Sequence, residues 1–446
     1  MDQRTIARLQ RGSVASITLK PHVRVAIYGN FGSTNFGNDC TLQAILHNLG
    51  CFRPDAEITC ICTGPEAVAR KHQIEAIPVV EVFVRSWTPR GSLARRLRQI
   101  CIGIPSEPYR WIKGFNKLKR MDILIIPGTG LLNDANGVRG WGQYNLLKWS
   151  LIAKLCGCKV VFVSVGAGPI YSRLGRLITK AALALADSRS YRDASSKECL
   201  ESIGFRTERD RVEPDLVFSL PEAAIPHHGN GSHRPVAGLG LMAYSGRYSA
   251  SRPSDETYLG YLEALVSLTQ WLLARDYDVR LLIGDGADRN AAHEFRSLLR
   301  EKLSAGEEDR IIEEPINSVD DLLSQIAATD IVVATRFHNA LLAILCNKPV
   351  IAISFHHKCE SMMRATGLSK YCLDINGLQG DALIERFRDL ERHADTLKAL
   401  LTQKVREFRK ELDEQYQSIF NGKVTGPSGV VERRALPVAS AVPRRR

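Results

Sequence analysis

Compact β-branched runs alternate along this chain with longer stretches in which apolar residues recur at helical spacing. Runs of strand length stand at Val23–Tyr28, Glu57–Cys62, Ile77–Phe83, Asp122–Pro127, Lys159–Val165 and Ser188–Tyr191. Helical spacing predicts helices from about Asp39 to Leu49, through Trp149–Leu155 and near Leu174–Ala186. A second series opens at Val236–Met242 and continues with helix Thr257–Ala274, strand Asp278–Ile283 and helix Ala291–Leu303. It then reaches strands Ile331–Ala334 and Val350–Ile353, joined by a short helix whose apolar face is Phe337, Ala340, Leu341, Ile344 and Leu345. A long helix near Leu383–Phe420 closes the series. Strands alternating with helices, each strand ending in small or polar residues, predict α/β architecture built on doubly wound parallel sheets.

Breaks in the pattern divide the chain. Residues 1–22 lack periodicity and read as a flexible N-terminal segment. Residues 23–220 form a first Rossmann-like domain, ending in a strand over Asp215–Leu220 and interrupted by a basic insertion over 85–120. The stretch PEAAIPHHGNGSHRP, residues 221–235, is rich in Pro, Gly, His and Ser and reads as a linker. Residues 236–420 form a second Rossmann-like domain with its closing helix, and the basic, Gly/Pro-punctuated residues 421–446 read as a disordered tail. Two such lobes, with a last helix able to cross back, predict a central cleft in which substrate binds.

A length of 446 residues fits two domains. No apolar run reaches the ~18 residues of a membrane span, and the start MDQRTIARLQRG lacks the apolar stretch of a secretory signal, so a cytoplasmic protein is expected. Eleven cysteines, mostly inside apolar runs, read as free thiols. Cys60/Cys62 and Cys156/Cys158 lack the spacing and histidines of a zinc site, and no metal is expected. The net charge of +12 is concentrated in both tails and in residues 85–120, where ten Lys/Arg meet one acid. The remaining body is mildly acidic, which argues against a nucleic-acid partner. Trp87, Tyr109, Trp111 and Phe115 stand among the cations of 85–120, a mixture that suits peripheral contact with the inner face of an anionic membrane, although a solvated insertion with a few buried rings has the same composition.

The candidate chemistry lies at the ends of strands. After Ile331–Ala334 come Arg336 and His338, and after Val350–Ile353 come Ser354, His356, His357 and Lys358. An anion at this edge would meet a guanidinium, an ammonium and the first amides of a helix, so a small, highly charged substrate is expected. Arg192 follows another strand and is a further candidate anion ligand. Glycine turns allow backbone to approach a ligand: NFGND with Asn38 and Asp39, GTGLLND with Gly128 and Gly130, and VGAGP with Gly166. None of them is a G-x-G-x-x-G fingerprint.

In NFGND, IPGTGLLND, VSVGAGP, YRDASS, EPDLVFSL, ATRFHNALLAILCNKPVIAISF and the following HHK, the chain resembles the polysaccharide pyruvyl transferases over roughly Val23 to Asp374. The resemblance implies a GT-B-like pair of lobes and transfer of a pyruvyl group from phosphoenolpyruvate, a donor substrate used without a cofactor, to a sugar or lipid-linked oligosaccharide. It puts Arg336, His338 and Arg192 on positions that bind the carboxylate and phosphate of the donor, with Lys358 beside them. Family sequences often carry an acid between the residues matching Ser354 and Lys358, where this chain has His356 and His357. His338 is the expected general acid and Asp39 the expected base, with Asn38, Gly128, Gly130, Gly166 and Ser354 around the substrate. Two other readings stand beside this one: a GT-B glycosyltransferase gripping a nucleotide-sugar with Glu313 or Glu314, and a non-catalytic glycan-binding protein.

Overall fold

The computed structural model describes residues 22–81, 91, 93, 99–133, 141–226, 234–244 and 255–420. The expectations for the two tails, for the end of the strand Ile77–Phe83, for residues 85–90, 92 and 94–98 of the basic insertion and for the middle of the linker lie outside the described residues.

The first lobe runs β1 (Arg24–Gly29), α1 (Phe36–Phe52), β2 (Glu57–Cys62), α2 (Pro65–His72), β3 (Glu75–Pro78), α3 (Glu107–Leu118) and β4 (Ile123–Pro127). It continues with α4 (Gly142–Leu155), β5 (Lys159–Val165), α5 (Arg173–Ala184), β6 (Ser188–Tyr191), α6 (Ala194–Ser202) and β7 (Arg211–Val212). Its seven strands pair in parallel in the order β3-β2-β1-β4-β5-β6-β7. β4 is buried along its whole length, as expected of a central parallel strand covered by helices on both faces.

The second lobe runs β8 (Val236–Gly240), α7 (Asp255–Ala274), β9 (Asp278–Leu281), α8 (Arg289–Arg300), β10 (Ile311–Ile312), α9 (Val319–Ala327) and β11 (Ile331–Ala334). It continues with α10 (Phe337–Leu345), β12 (Val350–Ser354), α11 (His357–Ala365), β13 (Cys372–Asp374), α12 (Gly380–Arg392) and α13 (Ala394–Phe420). Its six strands take the order β10-β9-β8-β11-β12-β13. In each sheet the direction of winding reverses, between β1 and β4 and between β8 and β11, and the strand ends there open a crevice.

The crevices face each other. Asn35 forms a β-bridge with Asp285, Asn35 Nδ2 donates to Asp285 Oδ2 at 3.1 Å, and the amide of Gly286 donates to the carbonyl of Thr34 at 3.2 Å. One apolar core runs from α1 into the second sheet, while another lies beneath α3, α4 and α5. α13 belongs to the second lobe in sequence but packs on the first. Gln415 bonds Ser164 and Ser190 on β5 and β6, Arg409 donates to the carbonyls of Phe218 and Leu220, and the Tyr416 ring stacks on Phe420.

Three elements differ from expectation. The apolar run Asp215–Leu220 is a short 3-10 turn, Leu216–Ser219, capped by Asp215 Oδ1 accepting from the Val217 amide at 3.1 Å. All four turn residues are buried against α1 and α13, so burial on every side, which also fits a strand, here serves a plug. The expected helix Leu383–Phe420 breaks at His393, whose backbone leaves helical geometry, so that α12 packs on α7 while α13 turns toward the first lobe. Within the basic segment, α3 continues the alternation as the crossover from β3 to β4 and packs on α4. No helix among the described residues is long and apolar enough to cross a membrane.

Candidate active site

Arg336 follows β11 as the N-cap residue of α10, with extended backbone (φ −74, ψ 132). Its guanidinium makes a two-point contact with Asp288: Nε donates to Oδ2 at 2.8 Å and Nη2 to Oδ1 at 2.6 Å. Asp288, at the entry to α8, is fully buried and also accepts from the Ala243 amide at 3.0 Å. Burial raises its carboxyl pKa while the Arg336 charge opposes the rise. Asp285 Oδ2 stands 4.0 Å from Arg336 Nη1. The guanidinium is thus gripped on one edge by a buried acid and borders the cleft elsewhere.

His338 occupies the first turn of α10. Its Nε2 is buried without a hydrogen-bond partner among the described residues, and the ring lies against Gly37 of the other lobe, where an added Cβ would collide with Nδ1. Gly37 therefore lets the two lobes meet at the imidazole. Burial holds the His338 pKa well below the ordinary histidine value, and the charges of Arg192, Lys358 and Arg336 lower it further. The expected general acid is therefore a neutral imidazole at physiological pH.

Arg192 follows β6. Its Nη1 donates to Asp215 Oδ2 at 3.3 Å and its Nε lies 3.5 Å from Asp193 Oδ2. Asp193 also caps α6 by accepting from the Ser196 amide at 2.6 Å. A Cβ at Gly166 would stand 2.6 Å from the Arg192 guanidinium, so this glycine leaves room for the cation. The Gly166 turn is itself held in place: β5 is irregular before Val165, Ser164 has φ +49, and Gln415 of α13 pins the Ser164 hydroxyl.

After β12, His356 is the N-cap residue of α11, with Nδ1 accepting from the Lys358 amide at 3.3 Å. Its Nε2 is turned toward Gly168 of the first lobe. Burial first, then Lys358, His357 and Arg192, push the His356 pKa down to about 3. Lys358 is pushed down to about 8, chiefly by burial and next by Arg192. The Phe337 ring carries Arg192 Cζ at 4.7 Å and Lys358 Nζ at 5.8 Å.

Arg336, His338, Arg192, Lys358, Asn38, Gly130 and Gly166 all line one cavity of about 360 Å³ between the lobes, together with His356, Asn35, Asn133 and Gln143. Three other candidates do not line it. Asp39 turns its carboxylate back to accept from the Gly32 amide at 2.9 Å and so shapes the loop. Ser354 donates to the His356 carbonyl and to Glu360 Oε1, fixing the entry to α11. Gly128 is a packing position, where a Cβ would meet the Ser164 carbonyl at 2.6 Å. Glu313 and Glu314 pair with Arg296 and Arg280 and also lie outside the cavity lining. Sequence reasoning missed Asp288, Asp285 and Asn35. The available signal was the loop GDGADRN at the end of β9, on the same sheet edge as Arg336. Among the described residues no cluster of His, Cys, Asp or Glu could hold a metal.

Two parallel sheets opposed across a cationic cleft define a GT-B-like protein, the fold of glycosyltransferases and UDP-sugar epimerases. Solved structures agree. A putative UDP-N-acetylglucosamine 2-epimerase from Listeria monocytogenes superposes with a TM-score of 0.58 at 13% identity, covering 92% of this chain and 100% of that one. The S. aureus MnaA–UDP co-structure gives 0.56 at 11% identity, covering 91% and 99%, and a glycosyltransferase from Rickettsia africae gives 0.52 at 12%, covering 89% and 98%. Within this fold the chain belongs to the polysaccharide pyruvyl transferase family, whose model matches residues 35–357. The amylovoran biosynthesis protein AmsJ of Erwinia amylovora is 21% identical over 387 residues, 82% of this chain and 91% of AmsJ.

Proposed function

We propose that this protein transfers the pyruvyl group of phosphoenolpyruvate to two hydroxyls of one sugar in a polysaccharide or its lipid-linked precursor, forming a pyruvate ketal and releasing phosphate. The observation that carries the reading is the placing of Arg192, Arg336 and Lys358 around one buried, neutral imidazole in a cavity shared by both lobes. A compact trianion suits that cavity because fixed positive charge in a secluded site is worth more than in water.

In the reaction, one acceptor hydroxyl bonds to the central carbon of the donor while the methylene carbon gains a proton and becomes methyl. The second hydroxyl then bonds to the same carbon as the C–O bond to phosphate breaks. One hydroxyl proton ends on the methyl group and the other leaves with phosphate. Arg336 and Arg192 hold carboxylate and phosphate, and Lys358 steadies the departing phosphate. His338 takes the first hydroxyl proton and passes it to the methylene carbon. The bound trianion offsets the cations that keep the ring neutral, so the imidazolium becomes accessible once the donor is in place. Asp39 has no base role in this scheme, since its carboxylate is bonded to Gly32.

The test is incubation with phosphoenolpyruvate and free or lipid-linked sugars, read by mass spectrometry for a pyruvyl adduct and by phosphate release. One phosphate per adduct is expected. A protein whose melting temperature rises with a UDP-sugar but not with phosphoenolpyruvate would overturn the reading.

A further inference from the structure

Helices α3, α4 and α5 lie side by side on one face of the first sheet, α4 packing against both neighbours. Their inner sides fill the core beneath them with Leu118, Leu146, Trp149, Ile152, Ala182 and Leu183. Their outer sides should then be polar. Instead they expose Ile112 and Phe115 on α3, Leu155 at the end of α4, and Leu174 and Leu177 on α5; Ile112, Leu155 and Leu177 are 61%, 64% and 63% exposed. In the second lobe, Leu259 is the large hydrophobic side chain that is comparably exposed among the described residues. The apolar exposure is concentrated on one side of one lobe.

Among the described residues, the charge on this side has one sign where no acid pairs with it. Lys113 and Lys117 of α3 are paired with Glu81 and Glu75, and Lys154 of α4 with Asp187. α5 carries Arg173, Arg176 and Lys180 and no acid. A soluble partner helix would need acids to meet these cations and a matching groove. A lipid surface with anionic headgroups supplies phosphate at one depth and acyl chain just below it, and takes Leu174 and Leu177 beside Arg173 and Arg176 without a groove. The face also reaches the cleft, because α5 begins two residues after Tyr171, which is both exposed and part of the cavity lining.

We propose that the outer face of α3, α4 and α5 rests on an anionic membrane and presents the cleft mouth to the headgroup layer, where a lipid-linked sugar is met. The basic aromatic stretch of the sequence contributes α3, while α5 supplies the unopposed charge. Docking itself does not depend on the pyruvyl-transfer reading, and its test is run without phosphoenolpyruvate, so either can fail alone.

The full-length protein is sedimented with vesicles of phosphatidylcholine alone or mixed with phosphatidylglycerol. Binding is expected to the mixed vesicles at low salt and to fall as salt rises. Arg173→Gln and Arg176→Gln should each weaken it by about fivefold. Ile112→Glu and Leu177→Glu should each weaken it by about tenfold or more while the melting temperature stays unchanged. Equal binding to both vesicle types, or undiminished binding by the Ile112→Glu/Leu177→Glu double variant, would overturn the proposal. So would a dimer in analytical ultracentrifugation that the double variant dissociates, with no vesicle binding by the parent protein.

Discussion

The carboxylate of Asp288 holds the guanidinium of Arg336 by two parallel hydrogen bonds, 2.8 Å and 2.6 Å long, from a position with no exposure to solvent. Asp288 is a positioning residue: it turns the cation toward the cavity and does not line the cavity itself. Asp288→Asn keeps the shape and removes the charge. The KM for phosphoenolpyruvate should rise by roughly 10- to 100-fold with a smaller change in kcat, matching the ~1.5–3 kcal/mol of charged hydrogen bonds. An unchanged donor KM in a folded variant would remove this role.

His338→Ala should lower kcat by ~10²–10⁴ with donor binding mostly retained. The pH dependence separates a catalytic from a structural role. Burial and three cations hold the free imidazole well below its ordinary value, so its protonation leaves no acid limb near pH 6.5 in kcat/KM, which reports the free enzyme. An inflection at that pH, lost in His338→Ala, would show that the ring titrates as an exposed histidine.

Burial, and next the charge of Arg192, push the Lys358 ammonium down to about 8. A lysine with a lowered pKa is charged below that value and neutral above it, and a bound anion favours the charged form. Donor affinity should therefore be highest below pH 8 and decline as pH rises beyond it. Lys358→Met should bind the donor more weakly at pH 7 and lose this decline, as isothermal titration calorimetry with phosphoenolpyruvate would show. A slope that persists in the variant would assign the titration to another group.

Gly37→Ala places a methyl group against His338. Gly37 stands in the first turn of α1 without a left-handed backbone, so alanine suits the helix there and the fold should be retained. Displacement of the imidazole should nonetheless lower kcat by about 100-fold. Native turnover would mean that the lobes do not meet at this contact during the reaction.

The βαβ unit around Arg336 was legible because β11 and β12 are buried on both faces and appear as unbroken apolar runs, leaving Arg336, His338 and Lys358 conspicuous at their ends. Arg192 was legible only from its place at the end of β6, because SRSY is a mostly polar strand of which two residues are buried. Asp288 was not, because it lies 48 residues from Arg336 and an acid in a glycine-rich loop reads as an ordinary turn residue; only the strand order β9-β8-β11 makes the two neighbours. Asp39 stands in the right loop, but no sequence pattern tells whether a carboxylate faces a cleft or a backbone amide. Asp215–Leu220 misled because a short apolar run fits several conformations when it is buried on every side.

α13 has one further consequence. Gln415 reaches Ser164 and Ser190, and Arg409 reaches Phe218 and Leu220, so the last helix of the second lobe is an integral part of the first. Cutting the chain between the lobes would not release two independent domains: the C-terminal fragment would still hold its α13 inside the N-terminal one. Expressed separately, the first lobe would lack its own final helix and expose the seat of Tyr416 and Phe420, whereas the two fragments produced together have the means to reassemble into a single particle.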